Sequence, residues 1–279
     1  MSEIKPFEIK VSDDEIDDLK VRLKNTRWPE QSTSSGWDQG VPLDYAVELM
    51  DYWGKDYNWR DCESYLNEMP HFSTVIENQE IAFIHLRSKH EEAKPLILTH
   101  GWPGSVLEFG DVIEPLVNPT ESGGNKRDAF HLVLPSIPGF GFAKKPSNKG
   151  WGVEKIASAW TELMKKLGYE SYYAQGGDWG SAITTEIGLS QTQACKGIHL
   201  NMALVHPSEA AKENMSNFEI EALKGVDYYM RMDSGYSKIQ STKPQTMGYG
   251  LVDSPVAQAT WIIDKFWQWT DCRGNLENV

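Results

Sequence analysis

The hydrophobic positions change period along the chain. After Ser12-Asp13-Asp14-Glu15, a capping-box signature, Ile16, Leu19 and Leu23 fall on one helical face. Arg27-Trp28-Pro29 marks the end of that segment, because the residue before proline avoids the α region. Further helices are predicted over residues 43–53 and 61–68. The period then becomes that of strands. Residues 71–76 and 81–86, joined through Glu77-Asn78, predict a β-hairpin. Residues 95–99 and 130–135 are short unbroken apolar runs, the pattern of strands buried on both faces, and predict a mostly parallel central sheet. Val153, Ile156, Ala157, Trp160, Leu163, Met164 and Leu167 then repeat at helical spacing, with Gly168 at the C-terminal cap position. A strand over 171–175, a glycine-rich turn, a helix over 181–189 and a strand over 197–200 follow. Strand–helix alternation of this kind predicts an α/β fold. From about residue 205 the pattern is helical and loopy, with a helix over 255–269 opening on Ser254-Pro255.

Composition narrows the function classes. The chain has 279 residues, 40% hydrophobic and 24% charged, which is a globular balance. Its net charge of −13 would repel a phosphate backbone, so a nucleic-acid partner is not expected. No stretch approaches the ~20 apolar residues of a membrane span, and the N-terminus lacks the basic start and apolar core of a signal peptide. Cys62, Cys195 and Cys272 are odd in number and far apart; they match neither a zinc site nor a disulfide framework, which fits a reducing, cytoplasmic setting. Eleven tryptophans and eleven tyrosines supply either a generous core or an aromatic-lined pocket for apolar ligands.

Two glycine-rich turns carry the candidate chemistry. Gly176-Gly177-Asp178-Trp179-Gly180-Ser181 lies between a predicted strand and a predicted helix. It has the form of a nucleophile elbow, with aspartate where serine is commonest. Such a turn lifts its central side chain above the sheet and beside a helix N-terminus, which favours negative charge. Read alone, Asp178 is equally an ordinary N-cap in a glycine-rich loop. His100-Gly101-Trp102-Pro103 shifts the balance, because it follows the strand expected beside the elbow strand. A cis bond at Trp102-Pro103 is expected there, with the backbone N–H of Trp102 and of Trp179 forming an oxyanion hole.

These segments resemble the microsomal-type epoxide hydrolases of the α/β-hydrolase fold, and the resemblance covers almost the whole chain. It is carried by Pro6-Phe7, Arg27-Trp28-Pro29, Tyr52-Trp53, Tyr57-Asn58-Trp59-Arg60 and Leu66-Asn67 in the N-terminal part. In the core it rests on His100-Gly101-Trp102-Pro103-Gly104-Ser105 with Glu108-Phe109, on residues 135–142, and on the Asp178 turn. Later it includes residues 235–240, Lys243-Pro244-Gln245-Thr246 and Asp253-Ser254-Pro255. It implies three segments: an N-terminal one over residues 1–90, an α/β-hydrolase core over 91–204 and a helical cap over 205–279. It further implies Asp178 as nucleophile, Tyr236 as one of two cap tyrosines that hydrogen-bond the epoxide oxygen, and Trp102 and Trp179 as backbone oxyanion donors, with His100, Gly101 and Pro103 supporting the turn. No cofactor and no metal are implied; the partners are a small apolar epoxide and water.

The residue types suit that chemistry. Attack on a saturated carbon by serine would leave an ether, whereas a carboxylate leaves an ester that water can cleave at its carbonyl. Ring opening expels an alkoxide, and a tyrosine with a pKa of about 10 remains protonated to supply it. The second half-reaction needs a histidine and an acidic partner after the nucleophile. Only His199 and His206 follow Asp178, in a predicted strand and just beyond it, and neither is expected to be the base. The resemblance implies that the family's last core strands, second cap tyrosine, acid and histidine lie beyond Val279. The 279-residue polypeptide is therefore expected either to self-associate, for instance as a homo-oligomer, or to be markedly less stable than a version extended through the family's C-terminal part, and to release diol slowly. Competing readings are a haloalkane dehalogenase, which also uses an aspartate after an HGxP turn, and a non-catalytic relative that binds apolar ligands.

Overall fold

A computed structural model describes residues 3–191, 193–205 and 207–279. Seven strands run β1 (Lys5–Pro6), β2 (His71–Ile76), β3 (Gln79–Leu86), β4 (Lys94–Thr99), β5 (Phe130–Pro135), β6 (Tyr172–Gly177) and β7 (Cys195–Asn201). The α-helices are α1 (Asp13–Lys24), α2 (Leu43–Lys55), α3 (Trp59–Asn67), α4 (Gly110–Val117), α5 (Val153–Lys166) and α6 (Trp179–Ser190), followed by α7 (Glu209–Lys212), α8 (Asn217–Tyr228), α9 (Gly235–Thr242), α10 (Pro244–Asp253) and α11 (Pro255–Trp269). A π-helical turn, Tyr229–Asp233, continues α8.

Contacts divide the chain into two units that cut across the segments expected from sequence: Met1–Lys10 with Arg60–Val205, and Val11–Trp59 with His206–Val279. The first contains the sheet, in the order β1-β2-β3-β5-β4-β6-β7. Its β5-β4-β6-β7 half is parallel, while β1-β2-β3-β5 is antiparallel, so the sheet is mixed where the sequence suggested a mostly parallel one. The cause is the hairpin. Glu77 and Asn78 both take positive φ, 46° and 65°, as a two-residue turn of the primed type requires, and so short a connection can only join antiparallel neighbours.

Both faces of the sheet's centre are covered, while the edge strand β7 is largely exposed. One core joins Phe83, Ile97 and Ala174 to Trp160, Leu163 and Met164 of α5 and to Ile183 and Ile187 of α6. The other joins Ile84, Leu98 and Leu132 to Ile113 and Val117 of α4. The Trp160 indole, fully buried, donates to Thr99 Oγ1 at 3.1 Å and so ties α5 to the end of β4.

The second unit is helical. Ser12 and Glu15 close the expected capping box on α1. Arg22 on α1 donates to the Asp253 carbonyl at the end of α10 at 2.8 Å, and Trp37 stacks on Trp267 of α11 at 4.4 Å. These contacts are why residues 11–59 group with the C-terminal helices, a pairing that local sequence periodicity does not encode.

Candidate active site

The site is built where the strand order reverses. The chain enters β5 on one side of β4 and β6 on the other, and loops leaving the carboxyl ends of two such strands diverge and open a crevice. Thr99 at the end of β4 is in register with Gly176 of β6, so the two glycine-rich turns lie side by side.

Asp178 sits between β6 and α6 with φ 51° and ψ −120°, a backbone region that a side chain occupies only when its surroundings impose it. The surroundings here are tight. A Cβ on Gly176 would fall 2.0 Å from the Gly180 carbonyl oxygen, and one on Gly180 would fall 1.9 Å from the Thr99 oxygen. The Asp178 carbonyl accepts from the N–H groups of Ser181 and Ala182 at 3.0 and 3.3 Å and so opens α6. Its side chain points at the neighbouring turn, where Asp178 Oδ1 accepts the Trp102 N–H at 2.7 Å. Gly101 allows this approach, since a Cβ there would lie 2.4 Å from both Cβ and Oδ1 of Asp178. The Trp102-Pro103 bond is cis, as expected. Trp179 is the first residue of α6; its indole is exposed, and its N–H belongs to the first helical turn, whose donors lack intrahelical acceptors.

His100 is fully buried, and its ring is committed to structure. Nε2 accepts the Ile137 N–H at 3.0 Å, which leaves the proton on Nδ1, facing the Gly101 carbonyl at 3.1 Å. Burial also depresses its pKa. The ring thus pins the turn after β4 to the loop after β5, whose Phe140 packs against it at 5.6 Å.

Glu108 is a neighbour that sequence reasoning left without a role. It lies in the short helical turn Val106–Phe109, capped by Ser105, and its Oε2 folds over Gly104, where a Cβ would meet it at 2.1 Å. The residue keeps an open side to solvent, yet its carboxyl is pushed up to about 7, first by desolvation at that contact and then by the charge of Asp178, against a backbone hydrogen bond from Gly101. A carboxyl whose pKa is raised by folding stabilises the fold while protonated and loses that contribution as pH rises from its ordinary 4.5 through about 7. Glu108→Gln should therefore be progressively more stable than wild type across that window. Denaturant titrations at several pH values check this; a constant difference would count against it.

Tyr236 belongs to the second unit, in the first turn of α9. Its hydroxyl is 3.2 Å from that of Tyr229, and its ring meets Trp269 edge-on at 5.2 Å. His199 is an exposed residue of β7, in register with Gln175, and His206 lies outside the described residues. Among the described residues no cluster of His, Cys, Asp and Glu could hold a metal ion, and no helix is long and apolar enough to cross a membrane.

Comparison with known proteins gives the family and the fold. Residues 4–109 match the family described as epoxide hydrolase N terminus, and residues 94–230 match the alpha/beta hydrolase fold. The Aspergillus niger epoxide hydrolase superposes with a TM-score of 0.87 at 33% identity, over 96% of this chain and 70% of that one. The chain belongs to the microsomal-type epoxide hydrolase family. Other members are similar over nearly its full length. The juvenile hormone epoxide hydrolase of Bombyx mori gives a TM-score of 0.89 at 32% identity, over 100% of this chain and 69% of that one. A candidate epoxide hydrolase of Stigmatella aurantiaca is 49% identical over 99% of this chain. Epoxide hydrolase 1 of Sus scrofa is 37% identical over 96% of it. The chain spans 63% of the length of each of these last two relatives.

Proposed function

We propose that this protein converts small apolar epoxides to vicinal diols through a covalent ester on Asp178. Asp178 Oδ1 is held by the Trp102 N–H, which leaves Oδ2 as the attacking oxygen. Oδ2 forms a bond to a ring carbon, the carbon–oxygen bond of the epoxide breaks, and its electron pair stays on the departing oxygen. Tyr236 supplies the proton that this oxygen takes. Water then attacks the ester carbonyl, whose oxygen is the former Oδ1, and the backbone N–H groups of Trp102 and Trp179 stabilise the charge that collects there. One proton of that water passes to the departing diol oxygen and the other to solvent, so that diol leaves and the carboxylate is restored, slowly where no base assists the water. His100 takes no part as base, because both its ring nitrogens are engaged.

One observation carries the reading: an aspartate on a strained elbow at the sheet's switch point, with a backbone donor 2.7 Å from its carboxylate. Three free cysteines fit the same activity in a reducing cytoplasm. The test of the acid is Tyr236→Phe. Loss of general-acid help should slow alkylation of the protein by a small aryl epoxide by about 100-fold. An unchanged rate would remove Tyr236 from the mechanism.

A further inference from the structure

A buried ion pair lies beside Tyr236. Lys265 on α11 is 5% exposed and Asp233, at the end of the π-helical turn, is 8% exposed. The Lys265 ammonium bonds Asp233 Oδ1 and, at 2.7 Å, Asp264 Oδ2. The other Asp233 oxygen accepts the Trp269 indole N–H at 2.7 Å. A buried ion pair is a weak source of net stability, because desolvation offsets much of the Coulombic gain. Its presence is better explained by what it surrounds.

It surrounds a tyrosine ring. Lys265 Nζ lies 5.1 Å from the Tyr236 ring centroid and 5.8 Å from that of Trp269. With Trp269 edge-on at 5.2 Å and the Tyr229 hydroxyl 3.2 Å from its own, Tyr236 is fixed in plane, tilt and rotation. Tyr229 and Asp233 open and close the π-helical turn, a rare element that occurs often at functional sites. A cation over an aromatic face is attracted to the ring, and it favours the ionised phenol over the neutral one. Burial alone would lower the lysine, but its bonds to Asp233 and Asp264 outweigh that and hold it above the ordinary value, so the cation is present at neutral pH.

We propose that Lys265, locked by Asp233 and Asp264, is a positioning residue for Tyr236: it fixes the ring and stabilises the phenolate left when the hydroxyl proton passes to the epoxide oxygen. The Tyr229 hydroxyl donates to the same phenolate oxygen, Lys265 keeps its protons throughout, and solvent returns the proton to Tyr236 between turnovers. This rests on Tyr236 being the acid of the reaction proposed above.

The test is a pH titration by NMR of protein carrying 13C at the tyrosine Cζ, with Tyr236→Phe identifying the Tyr236 signal. The double variant Lys265→Met/Asp233→Asn removes the cation together with its more deeply buried partner and leaves only the Asp264 carboxylate, which reaches solvent; circular dichroism and a thermal melt check that it is folded. In it the Tyr236 midpoint should rise by at least one pH unit, a tenfold loss of acidity, and epoxide labelling should slow about tenfold. Lys265→Arg should bring the midpoint back towards that of wild type. Asp264→Asn, which removes the more open anion, should shift the midpoint downward. A folded double variant with an unmoved midpoint, or no shift in either neutralising variant, overturns the proposal. Equal labelling of Tyr236→Phe and wild type instead defeats the acid role, whatever the titration shows.

Discussion

Asp178→Asn should abolish covalent capture of an epoxide. The amide is nearly isosteric, and its oxygen can still accept the Trp102 N–H at the 2.7 Å position, so the elbow and the neighbouring turn keep their shape. What disappears is the negative charge. An amide is a far weaker nucleophile towards a saturated carbon, and the ester route depends on a carboxylate that can donate an oxygen and later release it. The expected result is a folded protein in which the adduct formed by wild type is reduced at least a thousandfold. Intact mass spectra at matched times read this directly, and equal labelling of the variant would separate the epoxide reaction from Asp178.

Gly180→Ala should be the most damaging single-methyl change in the sheet unit. The added Cβ would lie 1.9 Å from the Thr99 oxygen, 2.6 Å from the Thr99 carbonyl carbon and 2.9 Å from the His100 oxygen. All three are backbone atoms of the central strand and its turn, so no rotamer change relieves the clash. Overpacking usually costs about 1–3 kcal/mol, and a backbone-on-backbone clash belongs at or beyond the upper end of that range, about 4 kcal/mol. Gly225, inside α8, has nothing within 4 Å of its own added Cβ. Gly225→Ala should therefore stabilise, by the ~0.5–1 kcal/mol that alanine gains over glycine in a helix. Urea midpoints should move in opposite directions for the two variants. A mild effect of Gly180→Ala would mean that α6 and β4 approach less closely than described.

The elements that sequence reading found are those whose signals are local. The hairpin and its turn, the run 130–135, the amphipathic α5 and the Ser254-Pro255 start of α11 each carry a period or a cap within a few residues. Both glycine turns were legible for the same reason. A backbone that must pass within 2 Å of where a Cβ would stand at Gly176 and Gly180 leaves its mark in the sequence itself. Long-range features were hidden. Half the strand pairings are antiparallel, and residues 11–59 join the C-terminal helices, because those choices depend on contacts between distant segments. The division of 205–253 into α7–α10 was also not visible. Phe218, Met230, Tyr249 and Val252 there are exposed, so apolar positions do not mark an inward face. Glu108 was seen only as part of a motif, without a role, and the Lys265–Asp233 pair was not seen, because charged residues read as surface until a fold brings them against Gly104 or Tyr236. A sequence clue did exist in the second case, since Tyr229, Asp233 and Tyr236 are spaced by four and three, as are Lys265 and Trp269 by four, which places each set on one helical face.

The central claim is that Asp178 is a nucleophile. Its most direct test is to treat the wild-type protein with a small aryl epoxide, quench in acid, and map the adduct by peptide mass spectrometry. The expected result is a single adduct of the epoxide's mass, on the peptide that contains Asp178, bound as an ester that mild base removes. An adduct confined to Cys62 or to a histidine, with the Asp178 peptide unmodified, would contradict it.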